Sequence, residues 1–141
     1  MCIRDSYHIL AKEGVTVFEG WSIINELSAR APRFHVGDGT NNATNNTAIP
    51  TLTAGQMTLV GGVWNESDGT AKTYHGTTLI DSDTSTPGAM GNITSTLPLR
   101  IGRPATPTPA VYVDYEIIAV AVFRSALTST QLGQIATYYG V

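Results

Sequence analysis

Cysteine is all but missing from this sequence: Cys2 is the only one in 141 residues. One cysteine cannot build a disulfide framework, and without Cys2, which lies in the doubtful opening segment, a Cys-containing zinc site is not expected either. Charge is also scarce. Asp, Glu, Lys and Arg make up 13% of the chain, the net charge is −3, and the basic residues are scattered. Such a surface offers no electrostatic footprint for nucleic acid. No apolar run reaches the roughly 18 residues of a membrane-spanning helix, so no membrane insertion is expected. The opening Met1–Ser6 lacks the apolar stretch and small-residue cleavage site of a signal peptide. The three histidines (His8, His35, His75) show neither metal-ligand spacing nor a nucleophile motif.

What is abundant is Gly, Thr, Ser, Asn and Pro, the composition of short strands joined by turns. The length suits a single domain with a sizeable core. Strand-like apolar patterns occupy 15–24, 33–36, 57–64, 71–80, 97–103 and 111–123. Asp68-Gly69 marks a hairpin between the third and fourth of these, because glycine tolerates the positive φ of a tight turn. Gly76 splits 71–80 into two strands. Gly61-Gly62 thins a strand where close backbone approach or a bulge is expected. The 41–47 stretch, "NNATNNT", reads as a loop.

The run "VYVDYEIIAVAVF" (111–123) is the longest β-branched segment. From Ile117 onward both alternating faces are apolar, which predicts a central strand covered on both sides. His35 alternates with Phe34 and Val36 and is expected at the surface, as is His75 at a hairpin tip. One helix is predicted near the end, capped at Thr128 or Ser129 with Gln131 completing a capping box. Together these elements predict an all-β fold: an antiparallel, jelly-roll-like two-sheet sandwich with a short C-terminal helix.

Five segments carry a resemblance in this order: "LAKEG…GWSI", "PRFHVGDGT", "MTLVGGVWNESDGTAKTYHGTTLI", "LPLRIGR" and "VDYEIIAVAVFRSALTSTQLGQI". The set resembles a laminin-G-like domain of the concanavalin A-like lectin/glucanase superfamily, over about residues 9 to 139. Met57, Asn65 and His75 stand where that pattern has Trp, Asp and Asn. The resemblance implies one or more strands ahead of Tyr7, so the domain over 7–141 is expected to lack its first strand. Met1–Ser6 resembles translated sequencing-adapter sequence and is expected to be an artefactual extension.

The resemblance further implies a non-catalytic recognition module that binds glycans or a host-surface or partner protein. The parent would be a larger multidomain phage structural or tail protein, or a secreted cell-surface protein. An extracellular or virion location follows from that setting. Sugar binding uses aromatic faces and hydrogen-bonding side chains, and Trp21, Trp64, Tyr74, His75, Arg103 and Tyr112 are the candidates. Trp and Tyr in sandwich strands serve the core as readily as a ligand. Relatives often bind calcium at one rim. Asp38 is the candidate ligand here, with Asp68, Asp81 and Asp83 behind it, although turn chemistry explains each. Two other readings stay open. One is a glycoside hydrolase or lyase using paired carboxylates, for which Asp114 and Glu116 share a strand face. The other is a structural spacer.

Overall fold

The computed structural model describes residues 6–13, 19–26, 31–44, 52–84, 90–91, 93–102 and 116–141. It is a two-sheet, antiparallel β structure with one helix, the all-β class that the strand-and-turn pattern predicts. The strands are β1 (Ser6–Glu13), β2 (Glu19–Glu26), β3 (Ala31–Asp38), β4 (Asn42–Thr44), β5 (Val60–Asn65), β6 (Thr70–His75), β7 (Thr78–Thr84) and β8 (Arg100–Ile101). The helix α1 spans Ser129–Tyr139. One sheet has the order β4-β3-β2-β1-β8 and the other the order β5-β6-β7. Ser6 lies in the ladder opposite Glu26. Met1–Asp5, the rest of the expected extension, lie outside the described residues.

Strand alternation explains the core. Leu10, Ile23 and Phe34 sit in one cross-strand row, and Trp21, Val36 and Ala43 in the next, all on the same face of the larger sheet. Val60, Trp64 and Ala71 meet them from the smaller sheet, with Met90 and Ile93 closing one end. Each large apolar side chain so buried contributes about 1.5–3 kcal/mol. The two sheets approach closely at Gly62, where an added Cβ would lie 2.2 Å from Cδ2 of Phe34. The register between β5 and β6 runs unbroken through Gly61 and Gly62, so the glycine pair marks a close approach and not a bulge.

Polar groups also bridge the layers. The Phe34 N–H lies beyond the end of the short β4 and donates to Oγ1 of buried Thr73, at 3.0 Å. The Thr44 N–H donates to Asp83 Oδ2 at 2.9 Å. Lys12 donates to the carbonyls of Ser95 and Leu97, at 2.9 and 2.8 Å, and pins that segment to β1.

On the outer face of the smaller sheet, Val63 and Tyr74 pack with Leu132 of α1 and with Leu127. The helix begins as its sequence predicts. Gln131 N–H donates to Thr128 Oγ1, and Thr128 N–H to Gln131 Oε1. Gly140 closes it in a left-handed C-cap.

Three expectations are corrected. Asn42–Thr44, within the stretch read as a loop, forms β4 against His35–Gly37. His35 is buried, not exposed. Ala11, Ser22 and His35 form a row on the face opposite the sandwich core, and that face is covered too. Alternation within one strand says which face a residue takes but not whether the face is covered. Finally, residues 116–123 are in no sheet, and all but half-buried Ile117 are exposed. The apolar pattern asks for neighbouring strands, and no described strand pairs with it. Val111–Tyr115, the start of the same expected strand, lie outside the described residues.

Candidate functional site

At the end of β5 the chain turns through Asn65-Glu66-Ser67-Asp68-Gly69 into β6, and local chemistry makes this turn stiff. Asn65 Oδ1 accepts from Ser67 N–H at 3.3 Å and from Ser67 Oγ at 2.9 Å, while Asn65 Nδ2 donates to Asp68 Oδ2 at 2.9 Å. Asp68 Oδ1 accepts the Thr70 N–H at 3.0 Å. Hydrogen bonds from the Thr70 side chain and backbone, then from Asn65, with nearby Lys72, hold the Asp68 carboxyl below its usual range. Gly69 has φ +63°, the left-handed conformation that the Asp-Gly pair predicts.

A second wall is set by Asp38, at the end of β3. Its Oδ1 accepts the N–H groups of Thr40 (2.8 Å) and Asn41 (2.6 Å), and its Oδ2 accepts the N–H of Gly91. Those donors, Gly91 first and then Asn41 and Thr40, hold the Asp38 carboxyl far below the usual carboxylate range. The effect is to fix Met90-Gly91 across the end of the sandwich. Between these walls lies an open cleft of about 650 Å³, bounded by Trp64, Asn65, Glu66, Ser67, Gly91, Ile93, Thr94, Arg124 and Ala126. Such a volume suits a small organic or oligomeric ligand.

The cleft combines apolar surface from half-buried Trp64 and Ile93 with exposed polar groups on Glu66, Ser67, Thr94 and Arg124. Arg124 offers a planar fork of donors, Glu66 an acceptor, and Ser67 and Thr94 hydroxyls of either sense. This mix recognises hydroxyl-rich ligands through directed hydrogen bonds over an apolar floor. Glu66 is the one carboxylate among the described lining residues.

Of the described residues expected to bind ligand, only Trp64 lines this cleft. Trp21 packs half-buried against the sandwich core. Tyr74 is buried beneath α1 with Val63 and Leu132, which removes its ring from solvent. His75 ends β6 at the Gly76-Thr77 hairpin turn, as expected, but is half-buried on the inward face of Ala71 and Thr73; its Nε2 has no hydrogen-bond partner among the described residues. Arg103, Tyr112 and Asp114 lie outside the described residues, and Glu116 is exposed. Asp38, the candidate calcium ligand, spends its oxygens on backbone N–H groups. Asp81 and Asp83 likewise accept backbone N–H groups, from Ser82 and Thr44. Among the described residues, no group of three or more His, Cys, Asp or Glu side chains is placed to hold a metal.

Sequence reasoning missed Glu66, Ser67, Thr94 and Arg124. The Asn65–Ser67 turn is visible as a polar cluster before Asp68-Gly69, but nothing local marks Arg124 as its neighbour. A second polar cluster lies on the covered outer face of the larger sheet. There His35 Nδ1 is 3.7 Å from Glu13 Oε2, with side chains 6% and 12% exposed. Its burial keeps it from any ligand of appreciable size. Comparison with protein-family models, with curated proteins and with solved structures gives no match.

Proposed function

We propose that this domain is a non-catalytic recognition module that binds a glycan in the cleft between Trp64 and Arg124. The observation that carries the reading is the cleft itself. An apolar floor, a guanidinium, a lone carboxylate and two hydroxyls converge there on a stiff hairpin turn and a strap tied down by Asp38. A ready-formed site of this kind binds without first ordering its loops, which conserves affinity. The setting is one domain of a larger phage structural or secreted cell-surface protein. The low charge and strand-rich composition are compatible with that setting.

The test is a glycan array followed by calorimetry with the strongest ligand, on wild type, Ser67→Ala and Arg124→Ala. Loss of one hydrogen bond to the ligand weakens binding by about threefold to tenfold, and loss of the charged fork by more. Binding to no glycan, or binding indifferent to both substitutions, would sink the lectin reading and leave a structural spacer.

A further inference from the structure

We propose that residues 116–124 form an antiparallel strand pair with the same residues of a second copy of this chain, about a two-fold axis at Val120. The segment "EIIAVAVFR" is strand-forming in composition, yet it belongs to neither sheet. Ile118 is 62% exposed, Val122 59% and Phe123 52%. Among the described residues, no hydrogen bond engages the backbone of 116–124. A β-branched run with open N–H and C=O groups is a template for another strand.

The sequence itself chooses the partner and the register. Pairing about Val120 sets Glu116 opposite Arg124, Ile117 opposite Phe123, Ile118 opposite Val122, and Ala119 opposite Ala121. Opposite charges meet at both ends, an aromatic meets a β-branched residue, two β-branched residues meet, and small meets small. Each is a favourable cross-strand pair. Moving the axis by half a residue, to between Ala119 and Val120, places Glu116 against Phe123 and leaves both charges unmatched. Parallel pairing places Glu116 against Glu116 and Arg124 against Arg124, which repel. A segment palindromic in side-chain size with complementary charges at its ends is what an isologous two-fold contact requires.

Both faces of the paired strands are apolar between the charges: Ile118, Val120 and Val122 on one, and Ile117, Ala119, Ala121 and Phe123 on the other. Nine residues a side form a small interface, so the dimer is concentration-dependent. It shares Arg124 with the cleft, so the dimer is measured in the absence of any glycan.

Sedimentation velocity across the micromolar to submillimolar range tests it, with circular dichroism to check each variant's fold. Wild type is expected to pass from monomer to dimer. Glu116→Arg and Arg124→Glu each set like charges opposite one another at two symmetric positions and weaken the dimer on the order of tenfold. The double variant restores the pairs and the affinity. In a Cys2→Ser background, Val120→Cys lies opposite itself and oxidises to a linked dimer, whereas Ile118→Cys, opposite Val122, does not. The proposal is overturned by a wild type that stays monomeric, by a double variant as weak as the singles, or by equal cross-linking at positions 118 and 120.

Discussion

Gly61 and Gly62 permit a single substitution to be made twice, one residue apart, with opposite expected signs. They lie on opposite faces of β5. A Cβ on Gly62 would lie 2.2, 2.5 and 2.7 Å from Cδ2, Cγ and Cε2 of Phe34. That ring is buried among Leu10, Ile23 and Val36, and cannot swing aside without displacing them. Gly62→Ala therefore either forces the sheets apart or pushes the ring off its rotamer. Overpacking of this kind costs about 1–3 kcal/mol. A Cβ on Gly61 would instead lie 3.7 Å from both Leu132 Cδ2 and Tyr74 Cβ, an ordinary contact beneath α1. Neither glycine is among the positive-φ glycines, so alanine meets no backbone penalty at either. Gly61→Ala then gains about 0.4–1 kcal/mol, chiefly by restricting the unfolded chain. Urea denaturation at low protein concentration, where the monomer dominates, measures both. The expected gap between the two variants is about 1.5–4 kcal/mol. A Phe34→Leu/Gly62→Ala double variant should recover part of the loss beyond additivity, because the two sites touch. If Gly62→Ala unfolds within about 0.5 kcal/mol of wild type, or if both variants shift the same way, the close approach at Phe34 is not what spaces the sheets.

Two further outcomes follow from buried and anchored polar groups. Asp38 has its pKa depressed in the fold, so its stabilising contribution is complete above the unfolded value of about 3.9 and is lost as pH falls below it. Asp38→Asn should lower stability at neutral pH and flatten the acid limb of a pH–stability curve; an unchanged acid limb would show that the Gly91 tie contributes nothing. Thr73→Val keeps the side chain's shape but removes the acceptor for Phe34 N–H, leaving that buried donor unpaired at a cost of about 1–3 kcal/mol. A neutral result by the same denaturation assay would mean the donor finds another acceptor.

Local chemistry was legible in the sequence wherever one short segment determines its own shape. The Asp68-Gly69 hairpin and the Thr128/Gln131 capping box are of this kind, since spacing and glycine chemistry specify them; Gly61-Gly62 signalled close approach or a bulge, and only Phe34 in the other sheet decides for the former. The class of fold followed from the same signals. What escaped depends on neighbours distant in sequence. His35 is buried because the outer face of the larger sheet is covered, which no alternation rule reports. Asn42–Thr44 becomes a strand because β3 offers it an edge, against the turn preference of Asn. The run at 116–123 reads as central because it is apolar on both faces, but a strand exists only beside another. The cleft joins Trp64 to Arg124, sixty residues on, and so has no motif to find.

The order of strands in the two sheets has a kinetic consequence. From β1 to β4 and again from β5 to β7, each strand pairs with its predecessor in the chain, so among the described residues almost every ladder closes a short loop. Short closures cost little entropy, and folds rich in them cross their barrier faster than Greek-key sandwiches of equal length. Each sheet can therefore nucleate as a separate meander, the two docking through Phe34 and Gly62 in a later step. The exception is β8, which brings Ile101 back to Leu10 with only two residues of pairing. With so little pairing it gains least from an early arrival and is expected to fasten last.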